Sequence, residues 1–167
     1  MKVLVISDNH GDTERIVGVK KRYEGKVDAM FHCGDSELPF NSDEMDGFIK
    51  VRGNCDFDSS YPDDKVVKVL GTTVFMTHGH LYGIKSSLDR IYYKAAEVGA
   101  DLIFFGHSHT LGAEVIENRL FVNPGSILLP RGRKEATYAI VERIDSNVDV
   151  CFYDDKHEEI TSWNGSI

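Results

Sequence analysis

Five short runs rich in apolar residues, 3–6, 28–33, 48–52, 72–77 and 102–105, each stop at a turn that sets a glycine beside an Asp, an Asn or a His. Runs this short, bounded by glycine, read as strands. The first, an unbroken stretch of β-branched and aliphatic residues, reads as a strand buried on both faces. The polar residues then sit at strand carboxyl ends, where open α/β sheets bind their ligands. If the strands lie side by side, Asp8, His10, Asp35, Asn54, His78, His107 and His109 fall along one rim of the sheet.

The segments between these runs fit the same plan. Asp12 or Thr13 caps a helix that runs towards Tyr23 and stops at Gly25, and a second helix starts at Ser86 or Ser87 and stops at Gly99. Residues 36–47 are polar and acidic and read as a loop with one helical turn, and 57–64 as a surface loop. Residues 65–70 and 72–77 flank Gly71 as a hairpin. Beyond His109 the pattern is all-β, with strands at 113–116, 120–122, Thr137–Ile144 and 148–153. No repeat or linker divides the chain, so one domain over 1–167, α/β in its first part and strand-rich in its second, is expected.

The composition, 41% hydrophobic and 28% charged over 167 residues, is that of a globular chain long enough to bury a core. A net charge of −8 argues against a generic nucleic-acid or anionic-membrane binder, because such affinity comes from Lys and Arg neutralising phosphates. A local cationic site made by bound metals escapes that count, so an anionic substrate stays open. Cys33, Cys55 and Cys151 are odd in number and widely spaced. They suggest neither a disulfide framework nor a thiolate zinc site, and a cytoplasmic location is expected. No stretch approaches the length of a membrane span.

Taken alone, Asp8-Asn9-His10-Gly11 is an ordinary turn. Five such turns together are not ordinary. Carboxylate, imidazole and amide oxygen are ligands for manganese, iron, zinc or nickel, and a shared carboxylate can bridge two ions roughly 3.5–4 Å apart. Five of the seven histidines lie in or beside these turns; His32 and His157 do not.

The ordered blocks Asp8-Asn9-His10, Gly34-Asp35, Gly53-Asn54-Cys55-Asp56, His78-Gly79-His80 and Gly106-His107-Ser108-His109 resemble those of the calcineurin-like metallophosphoesterase superfamily. The chain looks most like its small single-domain prokaryotic phosphodiesterase branch, and Asn123-Pro124-Gly125-Ser126 extends the likeness. The resemblance implies a four-layer α/β/β/α sandwich with a dinuclear centre. Asp8, His10 and His109 would hold one divalent ion, Asn54, His78 and His107 the other, and Asp35 would bridge them. Manganese is the first expectation, with nickel, iron or zinc as alternatives. A bridging water or hydroxide would attack the phosphorus of a small phosphoester.

One position departs from the family pattern. Many members carry His after the Asn of the third block, where it protonates the leaving oxygen and is oriented by the acid that follows; here those residues are Cys55 and Asp56. His80 is the substitute considered for the proton donor. Arg131 and Arg133 are read as loop charges before phosphate contacts. A phosphodiesterase is the leading expectation. A phosphomonoesterase or protein phosphatase is the second, and a non-catalytic scaffold, like the trafficking-complex subunit of the same fold, the third. A homo-oligomer is open on all three.

Overall fold

Strand β1 (Lys2–Ile6) buries Val3 and Val5 on one face and Leu4 and Ile6 on the other, all at 0% exposure. Its two faces belong to two different cores, and a computed structural model of the whole chain, Met1–Ile167, shows why. One face of β1 meets a second sheet. The other meets a helix.

The first sheet adds β2 (Ala29–His32) and β3 (Phe48–Lys50) in parallel on one side of β1, with Ile6 in register with His32 and His32 with Lys50. On the other side β9 (Thr137–Ile144), β10 (Asn147–Asp154) and β11 (Glu159–Ser166) run antiparallel to their neighbours. The second sheet contains β4 (Asp64–Val69), β5 (Thr72–Thr77), β6 (Leu102–Phe104), β7 (Gly112–Ile116) and β8 (Arg119–Asn123), in the order β4-β5-β6-β8-β7. Its strands β5, β6 and β8 are parallel, with Met76 level with Phe104 and Phe104 with Val122.

Seventeen buried side chains, drawn from both sheets, form the central core, where the rings of Phe31 and Phe104 meet edge to face at 5.1 Å. Helix α1 (Thr13–Tyr23) covers the outer face of the first sheet through Ile16 and Val19. Helix α2 (Asp89–Glu97) covers the second through Ile91 and Ala95. The result is the expected α/β/β/α sandwich. No helix is long and apolar enough to cross a membrane, and the three cysteines are free thiols.

Three expectations change. The five polar turns do not share one rim: those after β1, β2 and β3 belong to one sheet and those after β5 and β6 to the other, so the two rims face each other across the central core. Helix α2 starts at Asp89 rather than Ser86 or Ser87, because Ser87 Oγ accepts from Asp89 N at 3.1 Å and so ends the turn before it. Strand β11 was not expected. Its only strand neighbour is β10, its residues are mostly exposed, and Gly165 and Asn164 weaken the alternation that marks a strand.

Candidate metal centre

Strand register brings the polar turns together. After β1 and β2 the two chains stay paired beyond their strands, with Asp8 N donating to Gly34 O at 3.0 Å and His10 N to Asp35 O at 3.0 Å. In the other sheet Gly106 N donates to His78 O at 3.1 Å. Two bonds close the gap between sheets: His107 N to Asp8 Oδ2 at 3.2 Å, and His78 Nδ1 to Cys33 O at 2.7 Å.

The turns are tight and strained. Asp8, His10, Asp35, His107 and His109 all have φ between 43° and 65°, in the left-handed region that non-glycine residues rarely occupy. Each costs about 1 kcal/mol or more, and clusters of such residues mark functional sites. Bare backbone is needed beside the carboxylates. A Cβ on Gly53 would stand 2.0 Å from Asp35 Oδ1, and one on Gly106 2.6 Å from Asp8 Oδ2.

The ligand atoms of Asp8, His10, Asp35 and His109 all lie within 4.8 Å of one another. His78 Nε2 is 3.3 Å from Asp35 Oδ2 and 3.9 Å from Asp8 Oδ1. The His107 ring is centred 5.1 Å from that of His78. Asn54 is exposed, its amide nitrogen 3.3 Å from Cys55 Sγ.

Three of the imidazoles are held in one tautomer. Nδ1–H of His10 donates to Glu37 Oε1 at 2.7 Å, that of His78 to Cys33 O at 2.7 Å and that of His109 to Leu129 O at 2.7 Å. In the neutral ring this leaves a lone pair on Nε2, the arrangement seen when an outer partner prepares a histidine for a metal. The inward atoms crowd together: His78 Nε2 is buried with no hydrogen-bond partner, Asp8 Oδ1 lies 3.1 Å from His109 Nε2, and His10 Nε2 lies 3.3 Å from that same nitrogen. Lone pairs gathered this closely need a positive partner, a proton or a metal ion. The donor set therefore fits divalent ions.

The ionisation of these groups follows the same logic. Burial pushes the carboxyls of Asp8 and Asp35 up, but the imidazoles close to them, His109 beside Asp8 and His78 beside Asp35, outweigh it when protonated and hold both below the usual carboxylate range. The bond to Asp8 raises the His109 imidazole; His78 is likewise raised, with Asp35 and Asp8 overcoming its burial. Burial and the charge of His78 lower His107 to about 4. Burial and Asp35 push the Cys55 thiol up to about 11.

The remaining expected residues take definite places. Asp56 accepts four hydrogen bonds, from Gly53 N at 2.7 Å, Asp35 N at 2.9 Å, Glu37 N at 2.7 Å and Ser36 Oγ at 2.9 Å. Its carboxylate thus ties the β2 and β3 turns together instead of facing Cys55. His80 opens a single helical turn with its Nδ1 buried and unpartnered, its ring centred 5.4 Å from that of His78, and its pKa lowered by burial and by His78. Arg131 N donates to His109 O at 3.0 Å, which packs the 129–131 loop onto the cluster.

Sequence reasoning missed His32 and Glu37. His32 lies wholly buried under the cluster, its Nε2 2.9 Å from Asn9 Oδ1, and Glu37 buttresses His10. The Asn123–Ser126 block does carry a signal that was read. Asn123 Nδ2 donates to Gly106 O at 2.8 Å, and the Ser126 hydroxyl donates to Asp8 O at 2.7 Å.

Residues 1–146 match the Calcineurin-like phosphoesterase superfamily domain. The probable metallophosphoesterase YsnB of Bacillus subtilis is 46% identical over 160 residues, covering 96% of this chain and 95% of its own. The phosphodiesterase YfcE of Escherichia coli is 31% identical over 169 residues, covering 85% and 88%. Among solved structures, a predicted phosphoesterase from Streptococcus pneumoniae superposes with a TM-score of 0.97 at 41% identity, over 99% of this chain and 97% of that one. Vps29 of Entamoeba histolytica, crystallised with zinc, superposes over 99% of both chains with a TM-score of 0.74 at 17% identity, a likeness of fold alone.

Proposed function

The chain belongs to the calcineurin-like phosphoesterase superfamily, and on that premise we propose that it is a metal-dependent phosphodiesterase acting on small phosphoesters through a two-ion centre. The reading covers 1–167 as one catalytic domain. The observation that carries it is the convergence of His10, His78 and His109 on Asp8 and Asp35, with the outer nitrogen of each ring fixed by a hydrogen bond and its inner nitrogen turned to a carboxylate.

Asp8, His10 and His109 would hold one ion and His78, His107 and Asn54 the other, with Asp35 shared between them. Bound there, divalent ions would supply Lewis acidity towards a phosphate and would activate a water as nucleophile. The protein's own part is positioning. Asp56 fixes the turn that carries Asp35, Glu37 and Leu129 fix the rings of His10 and His109, and the fixed donors cost no reorganisation when charge develops. Manganese is the proposed resident ion, with nickel, iron or zinc as alternatives that the same oxygen and nitrogen donors accept. A cytoplasmic setting fits free thiols, buried in the case of Cys33.

Cys55 sets the substrate preference. A thiol, with a reference pKa of about 8.5, is a poorer proton donor to a leaving alkoxide than imidazole is. Substrates whose leaving group departs without protonation, aryl or otherwise activated diesters, are favoured. Manganese-loaded protein should hydrolyse bis(p-nitrophenyl) phosphate faster than p-nitrophenyl phosphate and far faster than alkyl monoesters. Cys55→His should raise the alkyl rate most. Equal rates on all three classes would overturn the leaving-group argument, and a preference for monoesters would favour the phosphomonoesterase reading. A purely structural role, as a scaffold, gains no support from a cluster whose seven candidate ligands are all competent donors.

A further inference from the structure

Phe57 is 97% exposed, more than any other large apolar side chain of the chain. The residues on either side of it, by contrast, are tied down by hydrogen bonds. Asp56 before it accepts four hydrogen bonds at the base of the metal centre. Asp58 after it accepts from Phe40 N at 2.8 Å and from Ser60 N at 2.9 Å. A phenyl ring left in water on such a loop gains nothing for the fold, whereas it offers apolar area to a ligand, and a loop already fixed loses little further freedom when a ligand packs there.

The ring does not stand alone. It forms one wall of a cleft of about 250 Å³ whose other lining residues are Glu37, Leu38, Pro39 and Asp58. Glu37 joins this cleft to the metal centre, because its carboxylate accepts from His10 Nδ1 at 2.7 Å and lies within 4.8 Å of Cys55 Sγ. The volume is below the usual range for a drug-sized ligand and suits a single ring system. Its charge is selective too. Two carboxylates and no cation line it, which disfavours a second anionic group and accepts a neutral one.

Resting on the phosphodiesterase reading, we propose that Phe57, with Leu38 and Pro39 of the same cleft, forms a subsite for a flat, neutral aromatic group of the substrate while its phosphate lies at the metal centre. An aryl ester and a nucleotide base share this chemistry.

Two matched ligand pairs separate these sources in calorimetric titrations of the manganese-loaded protein: phenylphosphonate against methylphosphonate, and thymidine 5′-monophosphate against ribose 5-phosphate. At least one aromatic member should bind about tenfold more tightly than its partner, the scale of ring stacking. The pair that shows the preference identifies the source. Phe57→Ala should cut that preference to less than about twofold, and Phe57→Trp should keep it. No preference in the wild type, or one that survives Phe57→Ala, overturns the subsite while the phosphodiesterase reading stands. Failure to bind any of the four ligands, together with no turnover of bis(p-nitrophenyl) phosphate, overturns both.

Discussion

Replacing Asp56 with Asn separates a residue that holds the site from one that reacts in it. The carboxylate is 9% exposed and receives two donors on each oxygen: Asp35 N and Gly53 N on Oδ2, Ser36 Oγ and Glu37 N on Oδ1. Asn keeps the shape but turns an NH2 group towards two of these donors, so two charge-assisted bonds are lost and N–H faces N–H. At about 1.5–3 kcal/mol for each hydrogen bond to a charged group, the loss is about 3–6 kcal/mol, a large share of the roughly 5–15 kcal/mol that stabilises a domain. The freed backbone carries Asp35 and Glu37, so manganese affinity should fall about 10- to 100-fold as well. Urea unfolding of the metal-free protein and manganese titration of the folded protein read the two effects. A variant within about 1 kcal/mol of the wild type, with full metal affinity but slow turnover, would refute this reasoning and place Asp56 in the chemistry.

Other consequences are as direct. Asp8→Ala and His10→Ala should abolish hydrolysis while circular dichroism and thermal unfolding remain cooperative; an active variant at either position removes it from the centre. Gly106→Ala would set a methyl 2.0 Å from Ser7 Oγ and 2.6 Å from Asp8 Oδ2, so it should cost about 1–3 kcal/mol and weaken metal binding, whereas Gly112→Ala meets nothing within 4 Å and should be neutral in the same assays. His32 is wholly buried, with Nδ1 accepting from Gly34 N and Nε2 donating to Asn9, and burial depresses its pKa. The unfolded chain therefore takes up a proton, as pH falls below about 6.5, that the folded chain resists. The stability His32 contributes is complete above that pH and is lost towards its depressed folded value, at up to about 1.4 kcal/mol per pH unit. The difference in unfolding free energy between wild type and His32→Gln, measured on metal-free protein from pH 7 to 5, should shrink on that slope; a pH-independent difference contradicts it.

Much of the fold was legible because the parallel strands are short, unbroken apolar runs ended by glycine, and because a strand end in a parallel sheet is a fixed address. That logic found Asp8, His10, Asp35, His78, His107 and His109 where the structure gathers them. It did not show that the addresses belong to two sheets, since register within a sheet is a local pattern but the packing of one sheet on another is not. His32 and Glu37 were missed for a similar reason. One lies inside a strand and the other in an acidic loop, and only the tertiary fold turns them towards Asn9 and His10. Asp56 shows the reverse case: its position beside Cys55 suggested chemistry, whereas its carboxylate accepts from three backbone N–H groups and the Ser36 hydroxyl.

The proposed chemistry requires that the cluster hold two divalent ions. Equilibrium dialysis of the metal-stripped protein against manganese, followed by elemental analysis, measures this without reference to any substrate. About two manganese ions per chain should be retained by the wild type, and fewer than one by Asp35→Ala, which removes the carboxylate proposed to serve both. Wild-type protein that retains none, or an Asp35→Ala variant that retains two, would contradict the account.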